Sequence, residues 1–408
     1  MTDSSIPAPS VVPPTQPSVV SSKQRRLALT MIVLNNLLIV LGYQLWRALF
    51  NNFAIDHIGV RADQIGLIQS IREVPGLLGF AVGMVALVMS EMRIAGLSVI
   101  LLGIGILTTG GAQNLTGLLA STLVMSVGFH FFMPSNSSAL LQLAGEEEAP
   151  RLLGRLNSLG ALIALVSAGI VFLTLDALGF RTLFAITGAV LIVAGLVLLP
   201  WNRRTDRSAR TKQRTPIRRQ YWLYYVLEFL MGSRRHIFTT FAVFLLVREH
   251  QVSAQTVALL FAVNNLLGTF LFSQFGKIVV RFGERRVLTF NFACITVVFL
   301  GYAYISWLPA LYLLFVADHV LFGFRIAVEA YFQKIALFPH EITPNLSLGM
   351  TINHIAAVII PVVGGVVWET LGGRYTFLIG VAIVVVSLVL VQWVRTERAS
   401  VPDLAAAH

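Results

Sequence analysis

The sequence predicts an all-α integral membrane protein, with about twelve transmembrane helices in two pseudo-symmetric six-helix bundles. Three observations carry this reading. The chain is 56% hydrophobic and 12% charged, with a mean hydropathy of +0.78, whereas soluble domains carry about 25% charged residues. Its apolar residues fall in runs close to the roughly 20 residues that cross a hydrocarbon core. These runs form two sets of six, and the second set repeats the first at nearly constant spacing.

Residues 1–27 open with "MTDSSIPAPSVVPPTQPSVVSS", rich in Pro and Ser and without a basic segment at its start. This composition predicts a disordered cytoplasmic tail, not a cleaved signal peptide. The first bundle is expected over 28–200, with apolar windows near 29–56, 63–89, 93–109, 115–142, 153–175 and 181–200. The second is expected over 221–395, with windows near 221–248, 253–280, 286–306, 309–337, 346–369 and 374–394. Between them, residues 201–220 form a basic linker, "WNRRTDRSARTKQRTPIRRQ", with eight Lys or Arg and one Asp. Residues 396–408 make a closing tail. Short basic loops are retained in the cytoplasm. The linker, Lys23, Arg25, Arg26 and the 277–286 loop therefore place both termini on the cytoplasmic face of a plasma (inner) membrane. The single cysteine, Cys294, lies in an apolar run, so no disulfide framework is expected.

The repeat is collinear. "VRADQIGLIQSIREVPG" from Val60 aligns without gaps on "VSAQTVALLFAVNNLLG" from Val252. "LGFRTLF" at 178–184 matches "LGGRYTF" at 371–377, and His130 falls on Arg325. A duplicated six-helix unit implies a binding site near the midplane, between the halves. The segment "GKIVVRFGERRVL" then sits between the eighth and ninth runs. It resembles the Gly-x-x-x-Asp-Arg-x-Gly-Arg-Arg loop of the major facilitator superfamily. Gly276, Arg281, Gly283, Arg285 and Arg286 fit that pattern, and Val280 stands where the acid is usual. The resemblance implies the superfamily fold, alternating access and a charge latch on the cytoplasmic side. The missing acid puts the usual latch in question.

Ionised groups inside the apolar runs carry the functional reading. Each costs about 2.5–3.5 kcal/mol at mid-bilayer, so they face the bundle interior or a wet cavity. Five arginines (Arg47, Arg72, Arg234, Arg235, Arg325) stand against four acids (Glu73, Glu228, Asp318, Glu329), with His130, His236, His319 and His354 beside them. Arg72 and Glu73 are about 100° apart on a helix and are expected to seek partners elsewhere. Glu228, Arg235 and Thr239 share a helical face at i, i+7, i+11, and so do Asp318, Arg325 and Glu329. These charges serve either as ion pairs holding helices together or as an electropositive cavity. Arginine stays protonated and offers a planar fork to carboxylate or phosphate. The cavity reading takes Arg72, Arg234, Arg235, Arg325, Arg47, His130 and His354 as substrate-binding. Glu73, Glu329 and Asp318 are the candidates for proton coupling.

The sequence has no GxxxxGK[ST] loop, no HExxH and no CxxC. An enzyme, a cofactor and a metal site are therefore not expected. The leading expectation is a proton-coupled secondary transporter moving a small anionic or zwitterionic solute by alternating access. The alternatives are a broad drug efflux pump and a non-transporting, transporter-like sensor or assembly factor. The expected partners are the solute, H⁺ and the bilayer, with a monomer as default and no nucleic acid.

Overall fold

The computed structural model describes residues 22–144, 148–201 and 217–395. Most of the expected N-terminal tail, the C-terminal tail, the bulk of the basic linker and the first residues of the 146–148 acidic run lie outside them. The helices are α1 Ser22–Asn52, α2 Ala62–Leu77, α3 Phe80–Val85, α4 Glu91–Gly111, α5 Leu115–Leu143 and α6 Ala149–Leu198. They continue with α7 Trp222–Arg248, α8 Ala254–Phe282, α9 Glu284–Tyr304, α10 Leu308–Phe322, α11 Ile326–Ile335, α12 Ile342–Leu371 and α13 Gly373–Leu390. No strand occurs among the described residues. Helices are what a chain in hydrocarbon must form, because every backbone polar group has to be satisfied within the segment.

Ten helical segments among the described residues are long and apolar enough to cross a membrane, one of them twice, and with α2–α3 they make twelve passes. The segment Arg151–Trp201 runs for 51 residues, more than twice the roughly 20 that one crossing needs. It turns back at Gly179, whose φ of 73° and ψ of 166° break the helix. The second pass is not among the ten, because α2 ends at Leu77 and α3 resumes at Phe80 after a short break. The tenth pass, Leu308–Ile335, is one of the ten but consists of α10 and α11 joined by a 3₁₀ turn at Gly323–Arg325.

Helix α1 starts at Ser22, inside the segment expected to be tail. Lys23, Arg25 and Arg26 lie in its first turns, and Arg25 Nε donates to Leu143 O at 3.2 Å. Charge kept these residues out of the apolar window, but a helix can project past the hydrocarbon into the polar interface. At the other end of the linker, Arg218 Nε donates to the buried Glu341 at 2.9 Å, and Tyr221 Oη donates to the same carboxylate at 2.5 Å. This ties the start of α7 to the start of α12.

The duplication is visible in backbone geometry. Gly179 and Gly372, equivalent in the repeat, are both left-handed, at φ 73° and 101°. Each turns the chain between two passes. Arg181 and Arg374, two residues on, lie over the rings of Phe53 and Tyr304 respectively.

Helices α1–α6 pack among themselves, as do α7–α13, and the halves meet where α12 packs on α2 and α8 on α6. We call the side bearing both described chain ends near, and the opposite side far. The far side is closed. Asn52 Nδ2 donates to Val252 O at 2.8 Å, the Ala62 N–H to Glu369 Oε1 at 2.8 Å, and Gln255 Nε2 to Asp176 Oδ1 at 2.7 Å. Deeper in, a Cβ at Gly66 would lie 2.2 Å from Pro361 O, and one at Gly365 2.5 Å from Ala62 O. Glycine here lets α2 and α12 meet backbone to backbone.

Candidate substrate cavity

Beneath the far-side seam lies a cavity of about 350 Å³ walled by both halves. Arg47 enters it from α1, Arg72 and Glu73 from α2, His130 from α5, Arg235 from α7 and His354 from α12. A separate space of about 570 Å³ has Asn36, Gln44, Asn157, Asn265 and His319 on its walls.

Four acids and five arginines leave a remainder, and the structure shows which arginines form it. Asp318 takes Arg234, with Oδ1 2.7 Å from Nη1; Arg234 is 0% exposed and Asp318 4%. Glu228 and Glu329 flank Arg325 at 3.4 and 3.6 Å. Glu73 takes Arg72, with Oε1 2.9 Å from Nη2 and 3.2 Å from Nε. Arg47 and Arg235 are left. Among the described residues no carboxylate lies within ion-pair distance of either.

The Arg72–Glu73 pair corrects the expectation that these neighbours turn apart. Arginine has enough rotatable bonds to reach back across the 100° offset, and every other carboxylate is already taken. Arg234, Arg325, Asp318 and Glu329, expected in the site, do not line the cavity. Asp318 and Arg325 both turn to α7, and Glu329 lies 3.6 Å from Arg325, so these three residues keep a common face across the 3₁₀ turn at Gly323–Arg325. A Cβ at Gly323 would lie 2.1 Å from the Phe275 ring, so tight packing accompanies the turn. The shared face of Glu228 and Arg235 forms no pair: Glu228 turns to Arg325.

The two unpaired guanidiniums are held alike. Arg47 lies 3.8 Å from the centre of the Phe261 ring, which belongs to the other half. Arg235 lies 3.5 Å from the centre of the Phe322 ring. Stacking uses the face of a guanidinium and leaves its in-plane N–H fork free. Tyr43 and Phe129, stacked at 4.2 Å, form an aromatic wall beside them.

Glu73 is 8% exposed and presents Oε2 to His354 Nδ1 at 3.2 Å and His130 Nε2 at 3.7 Å. His130 Nδ1 in turn lies 2.9 Å from Ser126 Oγ, which donates to the Arg72 carbonyl. His236, beside Arg235, reaches Asn353 Oδ1 at 3.4 Å. Ser126 and Asn353 carried no signal in the sequence, since lone polar residues in apolar runs are common.

The loop Gly276–Arg286 joins α8 and α9 through Gly283 at φ 81°. Val280, in the place of the usual acid, is exposed, and Arg285 Nη2 donates to Gln392 Oε1 at 3.3 Å. Arg281 lies over the Phe282 ring. The acid of this segment is Glu284, 3% exposed, which pairs with Lys334 Nζ at 2.6 Å.

A family profile, the Major Facilitator Superfamily, matches residues 32–344. The chain belongs to the major facilitator superfamily. It is an integral, multi-pass membrane protein and a transporter, not an enzyme. Among solved superfamily structures, it is similar to a bacterial homologue of the human lysosomal transporter Spinster, in an inward-facing and unoccupied conformation. The identity is 16%, the TM-score 0.72, and the match covers 94% of this chain and 100% of that one. It is also similar to the nucleoside transporter NupG, with 15% identity, a TM-score of 0.72, and 90% and 98% of the two chains covered. At such identities the likeness concerns the fold. No curated protein sequence matches the chain.

Proposed function

We propose that this superfamily member is a proton-coupled secondary transporter of a small anionic or zwitterionic solute. One observation carries the cargo reading: Arg47 and Arg235, one from each half, enter the central cavity with no acid partner among the described residues. A carboxylate or phosphate between them would receive two charged forks and draw the halves together. The cavity, about 350 Å³, is near the small end of ligand sites. The charged groups on its wall, Arg47, Arg72, Glu73 and Arg235, suit a small ionic solute better than the bulky apolar compounds of a broad efflux pump.

Glu73 is the proton-coupling candidate, because its His354 contact crosses between the halves. Opening the far side separates α2 from α12 and strips that partner away, so the carboxylate meets a different environment in each state. With the near side assigned to the cytoplasm by its basic residues, the closed far seam corresponds to an inward-facing state.

A thermal-unfolding screen of the purified protein tests the cargo. Organic acids and phosphorylated compounds are expected to stabilise it, by about 2.7 kcal/mol at one hundred times the dissociation constant. At the same ligand concentration Arg235→Ala should cut that gain to about 0.4–1.4 kcal/mol. Stabilisation by cationic amphiphiles alone, or unchanged flux in proteoliposomes carrying Arg47→Ala and Arg235→Ala, would refute the reading. Glu73→Gln should flatten the pH dependence of uptake, and an unaltered profile would remove Glu73 from the coupling role.

A further inference from the structure

The cluster under the seam has features that ion pairing does not explain. Glu73 Oε2, His130 Nε2 and His354 Nδ1 converge, with one ligand atom from each residue and all within 4.8 Å of one another. Two of the separations, 3.2 and 3.7 Å, are close to the roughly 3.3 Å between donors of a tetrahedral site with bonds of about 2.0–2.1 Å. Each residue comes from a different helix: α2, α5 and α12.

The hydrogen bonds around His130 set its tautomer. Ser126 Oγ gives its one proton to the Arg72 carbonyl, so toward His130 it can only accept. Neutral His130 then carries its proton on Nδ1, and its Nε2 lone pair points at Glu73 Oε2. Two acceptors facing each other are satisfied by a cation bound between them. Arg72 occupies the other carboxylate oxygen, Oε1, and so orients the ligand oxygen without consuming it. Such outer partners, on a carboxylate and on the far nitrogen of an imidazole, are what metal ligands have.

Room for the rings is built in. A Cβ at Gly76, one turn beyond Glu73, would lie 2.4 Å from His354 Cε1 and 2.7 Å from His130 Cδ2. Any side chain there would drive the two imidazoles off this level. The fourth direction opens into the cavity.

We propose that Glu73, His130 and His354 bind a divalent first-row transition metal ion, with Zn²⁺ as the type case. Two imidazoles and a carboxylate suit Zn²⁺, Co²⁺, Ni²⁺ or Fe²⁺ and disfavour Mg²⁺ and Ca²⁺. The cationic groups nearby, Arg47, Arg72 and Arg235, favour an anion as fourth ligand. Because His354 belongs to the second half and the other two ligands to the first, the ion clasps the halves and holds the far side closed. Bound metal is therefore a brake on alternating access. The site stands on geometry and does not depend on what the transporter carries.

The test uses the purified full chain without a polyhistidine tag. Titration with Co²⁺ should give the visible absorption of a low-coordinate ion at one equivalent, and Zn²⁺ should displace it. His130→Ala and His354→Ala should each abolish that band, while Ser126→Ala, which removes only the outer partner, should weaken binding about 10–100-fold. Mg²⁺ should not compete. A band that is absent, or one that persists in both histidine variants, overturns the proposal. Should one histidine variant fail to fold, the other and Ser126→Ala still decide it. Arg235→Ala is expected to retain the band. If the metal proposal fails, the anion screen is untouched; if anion binding fails, the Co²⁺ spectrum is untouched.

Discussion

Two charge clusters in this protein use the same side chains to opposite ends. Within the second half, Arg234 meets Asp318 and Arg325 sits between Glu228 and Glu329. In the cavity between the halves, Arg72 meets Glu73, but Arg47 and Arg235 meet only aromatic rings. The first cluster is saturated, and a passing solute has nothing to gain from it. The second keeps two formal charges in reserve. Arg234 and Arg235 are sequence neighbours with opposite fates, so residue type at this depth does not decide role. The availability of a carboxylate does.

That contrast can be broken at four places. The largest effect is expected at Asp318. Asp318→Asn leaves the fully buried Arg234 without its counter-charge, and removing one member of a buried pair costs about 3–5 kcal/mol. Thermal unfolding in detergent should show this loss, and the apolar double variant Arg234→Met with Asp318→Leu should recover most of it. Stability unchanged in the single variant would show that the pair is not structural.

Next come Arg235→Ala and Arg47→Ala. Each removes a charged hydrogen-bond donor worth about 1.5–3 kcal/mol, so affinity for an anionic ligand should fall about tenfold to a hundredfold, measured by calorimetry. The unfolding midpoint should barely move, because neither residue holds a carboxylate. A variant that loses stability but not affinity would transfer Arg235 to the structural cluster.

A third break is mechanical. Gly66→Val sets a side chain against the Pro361 carbonyl, and overpacking of this kind costs about 1–3 kcal/mol. The cost falls only on the state with the far seam closed. Thiol labelling of a cysteine placed at Ala62 should therefore rise in this variant. Equal labelling would mean that the seam does not gate the cavity.

The smallest effect is expected at Glu329, whose side chain is 40% exposed and 3.6 Å from Arg325. Such an exposed pair is worth about 0–1 kcal/mol. Glu329→Gln should leave stability, and the pH profile of transport, near those of the parent. A changed pH profile would restore Glu329 as a coupling residue alongside Glu73.

Much of this architecture is legible along the chain. The apolar runs, the turns at "LGFRTLF" and "LGGRYTF" and the surplus of one arginine over the acids are all read directly. The pairing is not. Asp318, Arg325 and Glu329 fall on one face of an ideal helix, but the spacing does not say that this face meets α7 with Asp318 against Arg234 and Arg325 against Glu228. Periodicity names a face and leaves open which residues of the neighbouring helix it meets. The convergence of Glu73, His130 and His354 is equally silent, because ligands drawn from three separate helices leave no spacing to recognise.

The amino-acid sequence by itself determined how many times the chain crosses the membrane, that the crossing unit is duplicated, and how many ionised groups must find shelter inside. Those follow from composition and from distances along the chain, where the cost of a charge or a bare backbone group in hydrocarbon leaves few choices. Only the tertiary structure decided which arginine meets which acid, and therefore which two remain for a solute. Ion pairing acts over a few ångströms across helices, and those separations are set by helix rotation and by close approaches such as that of Gly66 to Pro361.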